Sequence, residues 1–148
     1  MDDGDKLRET EEFFYRQIPI TRAMGVRVTG YDGNEFTLAA PVALNHNHLG
    51  TAFGGSLSAI ATLAGYGLLW LELDDKNCHL VIRRSSLAFN RPVRREIIAI
   101  CHRPRPEELA AFKATFAERR KARIDLNATI EEDGVVAVEF SGTFVALR

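Results

Sequence analysis

The spacing of apolar residues changes along the chain between a period near 3.6 and a period of 2, and each change marks a boundary. Asp5–Gln17 is polar apart from Leu7, Phe13 and Phe14 and predicts a short helix, closed by Pro19. Ile18–Met24 then connects to Gly25. In Gly25–Asp32, Val26 and Val28 alternate with Arg27 and Thr29, the pattern of a half-buried strand. Asp32-Gly33-Asn34 supplies a hairpin turn, and Glu35–Ala40 returns with Phe36, Leu38 and Ala40 on one face before Pro41. A polar loop, Asn45–Thr51, leads into Gly54-Gly55.

Ser56–Leu73 predicts a long helix. Leu57, Ile60, Ala61, Ala64, Leu68 and Leu71 follow helical spacing, while Leu63, Leu69 and Trp70 fall on other faces, so neighbours should surround this helix. Cys78–Asn90 and Glu96–Arg103 predict two strands. Pro106–Arg120 predicts a second amphipathic helix, with Pro106 in its first turn, Glu107 and Glu108 beside its positive end, and Leu109, Phe112 and Phe116 facing inward. Arg123–Glu131 alternates Ile124, Leu126, Ala128 and Ile130 with polar residues, Asp133-Gly134 turns the chain, and Val135–Leu147 is the last strand. Strands arriving as hairpin pairs between helices point to an antiparallel α+β domain spanning 1–148. A curved sheet wrapped around one helix satisfies a helix that is apolar all round.

Charge sharpens this picture. No Asp, Glu, Lys or Arg lies between Glu35 and Glu72, and Ala52–Leu71 is long enough to span a bilayer. Its glycines and hydroxyls, and the amphipathic strands on both sides, favour the buried centre of a domain over a membrane span. The formal net charge is −1, which argues against nucleic acid as the main partner. The acidic opening Met1-Asp2-Asp3-Gly4-Asp5 lacks the features of a signal peptide, and Cys78 and Cys101 lie in strand-like runs as buried thiols would; both suit the cytoplasm.

The stretch Asn45-His46-Asn47-His48-Leu49-Gly50-Thr51-Ala52-Phe53-Gly54-Gly55-Ser56 carries a resemblance. Asn47, Gly50, Gly54 and Gly55 match the spacing in hot-dog thioesterases of the phenylacetic-acid type. The longer string is similar to the YiiD C-terminal type of thioesterase domain, also found fused behind acetyltransferase domains. Phe89-Asn90-Arg91-Pro92-Val93 resembles the strand and turn that follow the helix in that family. The resemblance implies a hot-dog fold, a symmetric oligomer (a homodimer or dimer of dimers), and a thioester of coenzyme A or acyl carrier protein as substrate, with no further cofactor.

The residues have a physical logic of their own. Thioester hydrolysis passes through an oxyanion, and the first N–H groups of a helix are unpaired donors at its positive end. Gly54 and Gly55 let a carbonyl approach them closely. Asn47 is expected to hold the attacking water or the thioester oxygen, and His46 or His48, the histidines of this stretch, to act as general base. Both readings compete with a bland one, in which Asn47 caps its own loop and the histidines are surface residues. Asn45, Phe53, Ser58, Phe89 and Arg91 are expected to line the substrate, and Thr62, with Ser86 from a neighbouring strand or subunit, to complete the polar lining. Many hot-dog thioesterases carry an acid about two turns past Gly-Gly, and that position is Thr62 here. With no acid there, a non-catalytic acyl-thioester binding module stays open beside the thioesterase, and a hydratase or dehydratase, which needs a helix carboxylate, ranks lower. Two basic clusters, Arg83, Arg84, Arg91, Arg94, Arg95 and Arg119, Arg120, Lys121, Arg123, suit coenzyme A phosphates or an acidic carrier protein.

Overall fold

In the computed structural model, which describes residues 2–148, six strands form one antiparallel sheet curled around a central helix. The elements are α1 (Asp3–Gln17), α2 (Ile20–Ala23), β1 (Arg27–Tyr31), β2 (Glu35–Pro41), α3 (Gly54–Leu73), β3 (His79–Phe89), β4 (Glu96–His102), α4 (Pro106–Arg119), β5 (Lys121–Glu132) and β6 (Val135–Leu147). The strand order is β1-β2-β4-β5-β6-β3. This is the hot-dog arrangement.

The expected elements are all present, with shifted ends. The connector after Pro19 winds into the single helical turn α2. The central helix starts at Gly54 rather than Ser56. Arg120 adopts the left-handed conformation (φ 60°) and reverses the chain directly after α4, so Lys121 already pairs with Leu147 and the last strand pair starts earlier than the alternation showed.

Helix α3 is the core of the fold. Ile60, Ala61, Ala64, Leu68 and Leu69 are wholly buried against the concave face of the sheet, which contributes Phe36, Leu38, Ile97, Ala99, Ile130 and Phe144. Two glycines set how closely helix and sheet approach. A Cβ on Gly65 would collide with the Phe144 ring, and one on Gly67 with the Phe36 ring. This close-packed helix is the one segment long and apolar enough to cross a membrane among the described residues.

The two sheet edges differ. Along β1, helix α1 covers the free edge: Glu11 Oε1 accepts the Val28 N–H at 2.9 Å, and the Tyr15 hydroxyl donates to the Val26 carbonyl. Phe13 of α1 stacks on Trp70 of α3 with ring centroids 4.0 Å apart, which fixes the cover in place. Strand β3 pairs only with β6 and is exposed from Val81 to Ser86. An uncovered edge of this length invites a further strand.

At the far end of α3, Glu72 ties four elements together. It accepts the Tyr31 hydroxyl, Arg103 Nε at 2.9 Å and Lys113 Nζ at 2.9 Å, and its side chain is 9% exposed. Burial alone would raise its pKa, but the bonds from Arg103, Tyr31 and Lys113 outweigh that and hold it at about 2. The folded value lies below the unfolded one of about 4.5. Its contribution is therefore complete above pH 4.5 and is lost as pH falls from there toward about 2. Glu72→Gln leaves two cations without their carboxylate and should cost roughly 2–4 kcal/mol in urea denaturation at pH 7. The difference from the parent should shrink in the same titration as the pH approaches 2.

Candidate active site

The segment between β2 and α3 is fastened at several points, and the fastening brings the first turn of α3 to the surface beside the β3–β4 turn. Asn45 donates through Nδ2 to the carbonyls of Met24 (2.9 Å) and Pro41 (2.8 Å), and its own carbonyl accepts the Phe53 N–H at 2.7 Å. The Ala52 N–H bonds to the Val93 carbonyl at 2.8 Å. Val93, wholly buried, is thereby the anchor that sets the Phe89–Arg95 turn against the loop.

Asn47 closes the tip of this loop. Its Oδ1 accepts the N–H groups of Leu49 (2.9 Å) and Thr51 (3.2 Å), and Nδ2 donates to Thr51 Oγ1 at 2.9 Å. Loop capping accounts for the amide oxygen and leaves one Nδ2 hydrogen free. His46 is exposed with Nδ1 at 2.9 Å from the Asn47 carbonyl, and His48 is exposed.

The start of α3 is a helix end without a side-chain cap. At α1, by contrast, Asp2 Oδ1 accepts the Asp5 N–H at 2.7 Å. The N–H groups of Gly54, Gly55 and Ser56 have no acceptor among the described residues. Such donors, at the positive end of a twenty-residue helix, form a ready site for an anionic oxygen.

Two aromatic rings flank them. The Phe53 ring lies on Gly55 in the space a Cβ would fill, and the Phe89 ring stands 3.8 Å from where a Gly54 Cβ would be. Phe53 and Phe89 are 55% and 54% exposed, so both rings are available to a ligand or a second chain. Ser58 and Thr62 follow one and two turns along α3, half-buried, with Thr62 Oγ1 donating to the Ser58 carbonyl at 2.8 Å. Arg91 is exposed on the adjacent turn, its N–H bonded to the Ala137 carbonyl.

Gly54, Gly55, Phe53, Phe89 and the Asn47 loop thus come together at one end of α3. Within the single chain two expected residues do not join them. Asn45 is 4% exposed, and its amide ties loop to strand instead of facing substrate; its Oδ1 is buried without a partner. Ser86 pairs with Ser141 on the convex face of the sheet, opposite α3, because an irregularity between Ile82 and Arg84 shifts the alternation of β3. Ser85, paired with the buried Gly142, occupies the concave side. No sequence signal identified Phe53 as the ring packed on Gly55 or Val93 as the anchor. The carboxylate of α3, Glu72, lies eighteen residues from Gly54, about 27 Å along the helix. Cys101 is buried, its thiol pushed up to about 12 by that burial, and burial also raises Cys78, so neither is poised as a nucleophile. Among the described residues no group of three His, Cys, Asp or Glu is placed to hold a metal ion.

Residues 7–148 match the family described as "Putative thioesterase (yiiD_Cterm)", and the chain belongs to that family. A solved structure of a protein of unknown function from Chlorobaculum tepidum TLS is 34% identical, with a TM-score of 0.91 over 99% of this chain and 96% of that one. A protein from Shewanella oneidensis described as a "putative thioesterase" is 24% identical, with a TM-score of 0.87 over 98% and 99%. A protein of unknown function from Pseudomonas aeruginosa is 22% identical, with a TM-score of 0.81 over 95% and 94%. These last two similarities support the fold.

The loop geometry predicts a local effect of Asn47→Ala. Hydrogen exchange at the Leu49 and Thr51 amides should accelerate about fivefold, since each loses its acceptor, a loss of order 1 kcal/mol. The melting temperature should barely move, because the loop tip is exposed. Unchanged exchange at both amides would show that Asn47 does not hold the turn.

Proposed function

We propose that this protein hydrolyses an acyl thioester, carried by coenzyme A or an acyl carrier protein, to the free acid and thiol. The observation that carries the reading is the uncapped start of α3, three free N–H donors between two exposed aromatic rings, in a chain of the thioesterase family. The thioester carbonyl oxygen sits on the Gly54 and Gly55 N–H groups. Water adds to the carbonyl carbon, and the negative charge that develops on the oxygen falls at the positive end of the helix. Collapse breaks the C–S bond, and the proton released by water passes to the departing thiolate. The free Nδ2 hydrogen of Asn47 orients the carbonyl or the water, and His46 or His48 relays the proton. Ser58 and Thr62 line the polar side of the acyl position, and Arg91 meets the carrier's charge. With two buried free thiols, the cytoplasm suits the chain.

The active form on this reading is a homodimer, or a dimer of dimers, joined along β3. The contrast between edges supports it: β1 is covered by its own helix, whereas β3 is open and presents Val81, Ile82 and Phe89. Antiparallel pairing of two β3 strands makes one continuous sheet and encloses the rings that are exposed in the single chain. Light scattering at micromolar concentration should give twice the chain mass or an even multiple; a stable monomer would contradict the shared edge.

A second reading, acyl-thioester binding without turnover, draws on the absence of an acid in the first turns of α3 and on the amide oxygen of Asn47 being engaged in its own loop. A thiol-detecting reagent across a series of acyl-CoA chain lengths separates the two. Hydrolysis is expected, and Gly55→Ala, which forces the Phe53 ring off the helix start, should lower kcat by about 10²–10³. Asn47→Ala should lower it by roughly tenfold or more. Binding of the same thioesters with no thiol release would establish the second reading.

A further inference from the structure

Away from the start of α3, a groove of about 900 Å³ opens where β3, β5 and β6 meet the end of α4. Its floor is apolar: Val81, Val145 and Leu147 lie side by side on the convex face, in register with Arg123 and Lys121 of β5. Its rim is cationic. Arg83, Arg119, Lys121 and Arg123 line it, no carboxylate does, and none of the four pairs with one among the described residues. In a chain whose net charge is −1, such segregation is a local feature and not a general basic surface.

We infer that this groove docks an acidic amphipathic helix of a carrier protein, the protein that would bring the acyl group to the site; the inference rests on the thioesterase reading above. An apolar strip rimmed by free cations complements a helix with an apolar face and acidic flanks. A second copy of this chain does not fit, because a two-fold contact of the face with itself would set Lys121 and Arg123 against their own equivalents. Position agrees with the role. Val81 and Phe89 are eight residues apart on β3, about 26 Å, so within one chain the groove and the Phe89 end of the strand are well separated. Antiparallel pairing of β3 with its copy brings the second copy's Phe89 end beside the His79–Val81 end. A carrier docked in one subunit's groove then stands next to the end of the sheet where the other subunit's α3 begins.

The test compares one acyl group on two carriers, holo-acyl carrier protein and coenzyme A, using the parent protein and the triple variant Arg119→Glu, Lys121→Glu, Arg123→Glu. For the carrier-protein thioester KM should rise roughly tenfold or more with kcat within about twofold, while acyl-CoA kinetics stay unchanged. Equal loss on both substrates, or no loss on either, overturns the docking role; the first outcome would make the groove a site for coenzyme A phosphates. A second measurement needs no variant. Titrating unacylated holo-acyl carrier protein into the ¹⁵N-labelled parent should shift the amides of Val81, Lys121, Arg123 and Val145, and the shifts should weaken as salt is raised. Absence of shifts, or shifts confined elsewhere, also overturns it. If the parent hydrolyses neither thioester, the thioesterase reading falls, and the titration still decides the docking surface.

Discussion

Burying α3 without a single charged residue in its first eighteen positions is the constraint from which the rest follows. A helix that meets rings and aliphatic side chains on the sheet side has to be wrapped, and six antiparallel strands of modest length do so by curling. Gly65 and Gly67 admit Phe144 and Phe36 to the helix surface, so the sheet-facing space is filled by the protein's own side chains. The side of the first turns that stays half-exposed is the opposite one, where Ser58 and Thr62 lie. The same wrapping leaves the two helix ends in opposite conditions. The far end carries Glu72, saturated by Tyr31, Arg103 and Lys113, and is a structural joint. The near end has free donors and no cap. The proposed thioester chemistry draws on the end whose donors are unspent.

Edges are treated as unequally as helix ends. Glu11 and Tyr15 use their side chains to satisfy backbone groups of β1 and of Val26 just before it, which a further strand would otherwise take. The backbone groups on the free side of β3 have no such cover, and the exposed Phe53 and Phe89 rings lie at that strand's end. Coverage of one edge and exposure of the other selects the surface on which the proposed dimer would form, and relates oligomerisation to the completeness of the site.

Much of this was legible in the residues. The alternation of β5 and β6, the all-round apolarity of α3 and the Asp-Gly turns define an antiparallel sheet around a helix, because local periodicity and burial agree at each of them. The site was legible in part. Gly54-Gly55 marks the helix start, and Asn47 its loop, since only certain residue types tolerate those positions. Three things were hidden because local periodicity and residue type do not encode them. Asn45 looks like Asn47 on paper, yet Met24 and Pro41 claim its amide. The face of Ser86 was inverted by one irregularity in β3, which a strict period of 2 does not register. Phe53 gives no sign in sequence that its ring takes the place of the Gly55 side chain.

On the proposed reading the free N–H groups of Gly54 and Gly55 hold the thioester oxygen, and their amide resonances report on it directly. A non-hydrolysable acyl-CoA analogue that keeps the carbonyl but replaces sulfur by methylene can be titrated into ¹⁵N-labelled protein. Saturable downfield proton shifts are expected at Gly54 and Gly55, with slowed exchange at both, at analogue concentrations that also inhibit turnover. Saturable binding that shifts other amides while leaving Gly54 and Gly55 unmoved would contradict it.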